Sequence, residues 1–135
     1  MMTLGRTHKE WVNHMRKCAL EAGIPDSYRM VIMYLSKHPG ANQKQLSEFS
    51  SKTTAAINKT VKEMQSCGFV MMETDENDRR YTRLFLTEKG NLKADILRER
   101  LHRSDDVITD RIGKDREEEL IALLNEVYGV IKEEL

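Results

Sequence analysis

Residues 51–87, SKTTAAINKTVKEMQSCGFVMMETDENDRRYTRLFLT, decide the fold. A polar, threonine-rich helix is predicted from Ser51 to Cys67, because apolar residues recur there at helical spacing. Gly68 is typical of the position just after a helix, and two short apolar runs follow it, Phe69–Met72 and Tyr81–Leu86, around a charged turn. We therefore expect a helix that leads directly into a β-hairpin.

A shorter helix precedes this one, and together they are typical of a helix-turn-helix. Asn42, with Gln45 three residues later, predicts a capping box at the start of the shorter helix, which should end near Ser50. Either Ser51 or Thr53 can cap the second helix. Its predicted inner side is apolar and its outer side small, polar and basic: Ala56, Ile57, Val61 and Met64 inside; Thr54, Ala55, Asn58, Lys59 and Lys62 outside. The outer side fits a DNA major groove, but is also what an ordinary solvated helical hairpin presents.

The turn of the predicted hairpin carries two arginines beside acidic residues. Residues 75–80 are DENDRR, and a carboxylate one or two residues away can orient a guanidinium group. An oriented arginine on a projecting turn suits a narrow minor groove. The hairpin therefore favours DNA binding over the solvated-hairpin interpretation.

The overall charge argues against a nucleic-acid partner until its distribution is considered. The chain has 22 basic and 22 acidic residues, for a net charge of zero. Residues 1–114 hold 20 Lys and Arg against 15 Asp and Glu, whereas residues 115–135 hold two against seven. An acidic tail thus offsets a mildly basic body.

The chain has the size of one domain and none of the signals of a secreted or membrane protein. A length of 135 residues suffices for a single core. Cys18 and Cys67 lie in separate helical runs without CxxC spacing, and no apolar run approaches the roughly 18 residues of a membrane span. We expect a mainly helical, cytoplasmic protein without a membrane partner.

Amphipathic helices are predicted on both sides of this central region. The first runs from about Thr7 to Ala22, and a second, opened by Pro25, stops at His38-Pro39-Gly40. After the hairpin, Thr87 caps a long helix that ends at Gly113. Its apolar stripe is Leu92, Ile96, Leu101, Ile108 and Ile112.

The last helix is predicted to begin with a second capping box, formed by Asp115 and Glu118. It carries apolar residues on one side and on its flank: Leu120, Leu123, Leu124, Val127, Val130, Ile131 and Leu135. This band is too wide for one neighbouring helix, which predicts a second subunit. Gly90, near the start of the preceding helix, is interpreted as a site of close packing.

Five segments in order resemble the MarR family of bacterial winged-helix transcription regulators: His38-Pro39-Gly40, Gln45-Leu46-Ser47, Cys67-Gly68-Phe69-Val70, Asp75 to Arg80, and Leu86-Thr87-Glu88-Lys89-Gly90. The resemblance runs from Ile24 to the end. It implies a mainly α fold with a small β-hairpin wing, in which a winged helix-turn-helix lobe (24–90) is flanked by dimerisation helices (1–23 and 91–135). Thr60 and Glu63 depart from the family's leucine and basic residue around Lys62, so no base preference is carried over.

The resemblance also implies a function: a homodimeric repressor that binds a near-palindromic operator in double-stranded DNA. In the family, the wing's Asp-x-Arg element places an arginine in the minor groove, here Asp78 and Arg80, which leaves Arg79 for phosphate. The expected DNA-binding residues are Lys52, Thr54, Asn58, Lys59, Lys62, Asp78, Arg79 and Arg80.

Many family members release DNA when a small aromatic or other organic effector binds between the dimer helices and the DNA-binding lobe. The residues that map near that crevice are Trp11, His14, Met15, Cys18, Met30, Met33 and Tyr34. We favour a different interpretation of this set, an ordinary apolar core. Some relatives sense peroxide through a first-helix cysteine, and Cys18 has cationic neighbours in Arg16 and Lys17; here too we favour a buried small residue.

We interpret the four histidines, His8, His14, His38 and His102, as having no ligand partner at i to i+4, so no metal site is predicted. No nucleophile elbow, phosphate loop or HExxH pattern is present, and we expect neither an enzyme nor a cofactor. The alternative function is a winged-helix module that binds protein through its acidic last helix. Such a module has no need of a basic helix together with a basic wing.

Overall fold

The computed structural model describes residues 1–135 as six helices and one two-stranded antiparallel sheet. In chain order the elements are α1 (Met2–Glu21), α2 (Asp26–Lys37), α3 (Gln43–Ser50), α4 (Thr54–Ser66), β1 (Val70–Thr74), β2 (Thr82–Leu86), α5 (Glu88–Ile112) and α6 (Lys114–Glu134). The predicted mainly α fold with a β-hairpin wing is confirmed. None of the helices combines the length and the apolar character that crossing a membrane requires.

The chain divides into two compact units, Met1–Glu99 and Arg100–Leu135. The first unit has a hydrophobic core to which α2, α3, α4, β2 and the first turns of α5 all contribute. Its fully buried large side chains are Ile24, Val31, Ile32, Leu35, Leu46, Ile57, Val61, Met64, Leu84 and Leu97. This core fixes the positions of α3, α4 and the hairpin relative to one another.

The N-terminal half follows the sequence prediction closely, with one shifted boundary. Helix α1 begins at Met2 instead of near Thr7, because the segment ahead of Thr7 contains no proline and continues the helix without a side-chain cap. The helix ends in a Schellman motif: Gly23 has a φ of +72°, and the N–H of Ile24 donates to the carbonyl of Ala19.

Both caps of the helix-turn-helix are built from side chains. The capping box is confirmed, since Asn42 Oδ1 accepts from the Gln45 N–H and Gln45 Oε1 accepts from the Asn42 N–H, each at 2.9 Å. Thr53, not Ser51, caps α4 by accepting a bond from the Ala56 N–H at 3.1 Å. Ser51 instead ends α3 in the left-handed conformation, with a φ of +55°.

The hairpin strands pair with Val70 opposite Leu86 and Thr74 opposite Thr82. Glu73 and Thr74 therefore belong to β1, and the turn is shorter than predicted. The linker between α2 and α3 adds a further pairing on the other edge of β2, because Ala41 forms an antiparallel bridge with Leu84. The wing is thus bonded directly to the helix-turn-helix.

The capping box predicted at the start of α6 is wrong. Gly113, with a φ of +86°, occupies the N-cap position, so the helix starts at Lys114 and Asp115 already lies inside it. Without a side-chain cap, the first turn is stabilised by the charge of Asp115 near the helix N-terminus and by a 2.8 Å hydrogen bond from Thr109 Oγ1 to Glu117 Oε2.

The apolar residues predicted along α5 and α6 are mostly exposed in the single chain. The buried residues of α5 are Gly90, Ala94 and Leu97, while Leu92 and Ile96 face outward. No residue of α6 is buried. Covering these surfaces would require another apolar surface.

Candidate nucleic-acid interface

Helix α4 has one buried and one exposed side. Ile57, Val61 and Met64 are at most 2% exposed and anchor the helix in the core. Thr54, Ala55, Lys59 and Lys62 are exposed, and Asn58 is partly exposed, as the sequence predicts for the outer side. Ala56 is also exposed, so its assignment to the inner side is wrong. One residue corresponds to about 100° of rotation, so Ala56 cannot share the buried side of its neighbour Ile57.

The turn before α4 holds Lys52 at the surface. Ser47 Oγ donates to the Lys52 carbonyl at 2.6 Å, and the Lys52 N–H donates to Ser50 Oγ at 3.3 Å. The backbone of Lys52 is therefore fixed while its ammonium group extends into solvent. This cation lies next to the N-terminal end of α4.

At the wing tip, Asp78 holds Arg80 through three hydrogen bonds. Arg80 Nε donates to Oδ1, Arg80 Nη2 donates to Oδ2, and the backbone N–H of Arg80 donates to Oδ1, each at 3.0 Å. The side chain of Arg80 nevertheless remains 88% exposed. The bonds from the Arg80 side chain and backbone hold the pKa of Asp78 below its usual value. The result is a cation with a fixed direction, which can enter a groove.

A second ion pair lies at the base of the turn. Arg83 donates from Nε and Nη2 to Asp75 Oδ2, both at 3.1 Å, while Asp75 Oδ1 accepts from the Asn77 N–H at 2.9 Å. Those bonds, from Asn77 and then Arg83, lower the pKa of Asp75. This pair is not predicted from the sequence. Its signal is a diagonal cross-strand position, because the register places Arg83 opposite Glu73, two residues from Asp75.

Two clefts lie between the wing and the N-terminus of α3. One cleft of about 300 Å³ is lined by Gly40, Asn42, Gln45, Asp75, Tyr81 and Arg83. A neighbouring cleft of about 270 Å³ is lined by Asn42, Gln43, Lys44, Arg80, Tyr81 and Thr82. Arg80 and Arg83 of the wing therefore line clefts together with residues at the N-terminus of α3, and Arg79 is also exposed on the wing.

The residues expected near an effector crevice fall into two groups. Trp11 packs against His14, with ring centroids 5.6 Å apart, whereas Tyr34 stacks with His38 and Phe49 at 4.5 and 4.7 Å. Met33 is partly buried on α2, one residue before Tyr34.

Arg29, which the sequence analysis did not single out, approaches both Met15 and Met30. It is 7% exposed and pairs with Asp26 at 3.3 Å. Burial alone would raise the pKa of Asp26, but bonds from Arg16 and Arg29 outweigh it and lower that pKa. A buried cation therefore lies beside the thioethers of this set.

The interpretation that no histidine has a ligand partner at i to i+4 is wrong for His14. Cys18 is four residues after His14, and its Sγ lies 3.4 Å from His14 Nε2. The cations expected beside Cys18 bond to other groups, since Arg16 pairs with Asp26 and Lys17 with Glu21. Cys18 itself is 6% exposed. Its thiol therefore faces an imidazole instead of an ammonium or guanidinium group.

Comparison with known proteins finds a family model and relatives that are similar to part of this chain. Residues 22–80 match the family model described as MarR family. Over 100 residues, 73% of this chain, the sequence is 29% identical to the uncharacterized HTH-type transcriptional regulator YybA of Bacillus subtilis (strain 168). The alignment spans 65% of that relative, slightly less than two thirds of its length.

Two solved structures share the fold. The transcriptional repressor CouR bound to a 23-mer DNA duplex superposes with a TM-score of 0.80 at 20% identity, over 93% of this chain and 89% of that one. NadR in complex with 4-hydroxyphenylacetate superposes with a TM-score of 0.79 at 20% identity, over 93% and 89%. The predicted MarR-family resemblance and winged-helix fold are confirmed.

Proposed function

We propose that this protein is a cytoplasmic, homodimeric repressor that binds double-stranded DNA, as its match to the MarR family model over residues 22–80 suggests. The observation that carries the proposal is the wing tip, where Asp78 orients Arg80 while leaving its side chain 88% exposed. A guanidinium held in place but open to solvent loses little conformational entropy when it enters a minor groove.

The contacts divide between base reading and phosphate binding. Thr54, Asn58 and Lys59, on the exposed side of α4, reach base edges or nearby phosphates in the major groove. Phosphate contacts come from Lys52, Lys62 and Arg79. Arg80 enters the minor groove beside them, and Asp78 contributes by orienting it.

The exposed apolar residues of the C-terminal unit support a homodimer. Leu120, Leu124 and Ile131 are each more than 40% exposed, on a helix without any buried residue. Residues 1–23 and 91–135 form the dimer interface, and residues 24–90 form the DNA-binding lobe. A two-fold axis then presents two α4 helices to successive major grooves about 34 Å apart, which requires a near-palindromic operator.

A small aromatic or other organic effector would act on this dimer. The proposal rests on the aromatic and thioether side chains of α1 and α2 and on the 4-hydroxyphenylacetate bound by NadR. A thermal-shift screen of phenolic compounds, with peroxide as a separate arm, tests it, because a ligand raises the unfolding temperature only if it binds the folded state preferentially. A peroxide response that disappears in Cys18→Ser would favour thiol sensing instead.

The deciding experiment is a gel shift with the DNA upstream of the protein's own coding region. The wild-type protein should shift this DNA at low salt and resist unrelated competitor DNA. A double variant, Lys59→Ala with Arg80→Ala, should lose the specific complex while keeping its fold by circular dichroism. Failure of the wild-type protein to shift any fragment at low salt would refute the DNA-binding function and favour a protein-binding winged helix.

A further inference from the structure

The link between α4 and β1 is bonded to the start of α5 at three consecutive carbonyl groups. Lys89 Nζ donates to the Cys67 carbonyl at 2.9 Å, Thr87 Oγ1 donates to the Gly68 carbonyl, and the Thr87 N–H donates to the Phe69 carbonyl at 3.0 Å. Each donor belongs to the N-cap or the first turn of α5. The C-terminus of α4 is therefore joined to α5 as well as to the hairpin.

Packing reinforces these bonds around Phe69. Gly90 lies directly against the Phe69 carbonyl, where a Cβ atom would collide. The ammonium of Lys89 also lies 4.6 Å from the centroid of the Phe69 ring, and that ring meets Tyr28 of α2 edge-on at 5.8 Å. Lys89 thus contacts the backbone of the three-residue link 67–69 at Cys67 and its aromatic ring at Phe69.

The chemistry suits a helix end. Helix α4 closes in a Schellman motif, with Gly68 at a φ of +76° and the Phe69 N–H bonded to the Met64 carbonyl. The Cys67 carbonyl lies at the negative end of the helix dipole, where an ammonium group is stabilising. Because the donor is charged, this bond should be stronger than one between neutral groups.

From these contacts we propose that Lys89 is a positioning residue, which fixes the direction of α4 relative to α5 and so the angle at which α4 is presented to DNA. The inference rests on the proposed function. Helix α4 extends roughly 20 Å from this link to its exposed N-terminal end at Thr54. A tilt of about 10° at the link would therefore move that end by roughly 3 Å, more than the length tolerance of a hydrogen bond.

The consequence concerns the spacing of the two half-sites. Helix α5 continues from Lys89 into residues that belong to the proposed dimer interface. A fixed angle between α4 and α5 makes the dimer selective for one half-site spacing, whereas a loose angle lets it accept several.

The test compares Lys89→Met, Lys89→Arg and Lys37→Met. Lys37 is the control, because it is also an exposed lysine near the C-terminal end of a helix, in the last turn of α2, but belongs neither to the proposed dimer interface nor to the proposed DNA contacts. Affinity is measured by fluorescence anisotropy on the site found by gel shift and on duplexes with one base pair added to or removed from its centre. Salt dependence and unfolding temperature are recorded for every variant.

Lys89→Met should lose affinity about three- to tenfold on the native spacing but less on the altered spacings, so that discrimination falls while the salt slope stays constant. Lys89→Arg should restore discrimination between spacings, and Lys37→Met should retain it. If Lys89→Met lost affinity equally on all spacings and had a lower unfolding temperature, Lys89 would only stabilise the fold and the proposal would be overturned. Unchanged discrimination between spacings would also overturn it.

A second measurement is independent of DNA. Amide hydrogen exchange of residues 65–69 in the free protein should accelerate at least about threefold in Lys89→Met but not in Lys37→Met. If the wild-type protein binds no DNA, the proposed function fails. If hydrogen exchange is also unchanged in Lys89→Met, the inference that Lys89 positions α4 fails as well. If DNA is bound and exchange is unchanged, the inference about Lys89 alone fails.

Discussion

Arg80 and Asp78 form a two-bond ion pair in which the carboxylate is largely covered and the guanidinium is largely exposed, with 30% and 88% of the side chains accessible. The outer face of the guanidinium therefore stays open to DNA although the pair is formed. The main effect of the pair is on direction, because the carboxylate restricts the rotamers of the arginine. Charge and orientation can consequently be removed by different substitutions.

Arg80→Ala should weaken DNA binding and reduce the salt slope of the binding constant by about one phosphate contact per subunit. Asp78→Asn should weaken binding without reducing that slope, since the cation remains. Fluorescence anisotropy measures the binding constant and its salt slope for each variant between roughly 50 and 200 mM salt. Arg98→Ala, which breaks a comparable exposed pair with Asp95 on α5, is the control and should change neither. An unchanged slope in Arg80→Ala would contradict the role of the wing.

The two wing carboxylates predict a pH dependence of stability. The pKa values of Asp75 and Asp78 are lowered in the folded protein, so their stabilising contribution is present above the unfolded pKa of about 3.9 and is lost as pH falls through the folded values. Asp75→Asn should therefore lower the unfolding temperature at pH 6, and the difference from wild type should shrink below about pH 4. Thermal unfolding, monitored by circular dichroism at each pH, measures this difference in unfolding temperature. A difference that persists undiminished in acid would show that the substitution acts through something other than ionisation.

Gly90→Ala should destabilise the protein, because the new methyl group meets the Phe69 carbonyl and the Leu86 side chain. Overpacking of this kind costs about 1–3 kcal/mol, and contact with rigid backbone favours the upper end. Gly5→Ala is the matched control, since Gly5 also lies in a helix but has no atom near the added Cβ, and it should stabilise by up to about 1 kcal/mol. Urea denaturation compares the unfolding midpoints of the two variants. Equal midpoints would refute the close-packing role of Gly90.

Leu124→Lys should dissociate the proposed dimer, because a buried charge at the centre of an apolar interface is costly. Leu124 is 41% exposed in the single chain. Asn125→Lys adds the same charge at the neighbouring exposed polar position and should leave association intact. Light scattering coupled to size-exclusion chromatography gives the mass of each variant. A Leu124→Lys protein that retains twice the chain mass would place the interface elsewhere.

The features predicted correctly from the sequence are those whose cause lies within a few residues. The Asn42–Gln45 capping box depends on groups three residues apart, and the Asp78–Arg80 pair on groups two residues apart. Asp75 and Arg83 were not recognised as partners, because their contact depends on the exact strand register, which the underestimated length of β1 obscured.

Errors arose where one local signal competed with another. Asp115 and Glu118 have the spacing of a capping box, but the left-handed Gly113 lets the helix begin before Asp115 can act as a cap. Ala56 is apolar, but it lies about 100° around the helix from Ile57, which shares the buried side with Val61 and Met64. The bonds of Lys89 and Thr87 to the link after α4 depend on tertiary structure, so sequence periodicity gave no indication of them.

The absence of any buried residue in α6 has a consequence for the order of events during synthesis. Residues 1–99 contain all of the fully buried large side chains and leave the ribosome first, so this unit can fold while residues 100–135 are still being made. The tail, with little burial of its own, is marginal as a helix until another surface covers it. Newly made chains that find no such surface leave the apolar side chains of α6 exposed. Cellular proteases degrade chains of this kind, so unassembled copies would be cleared.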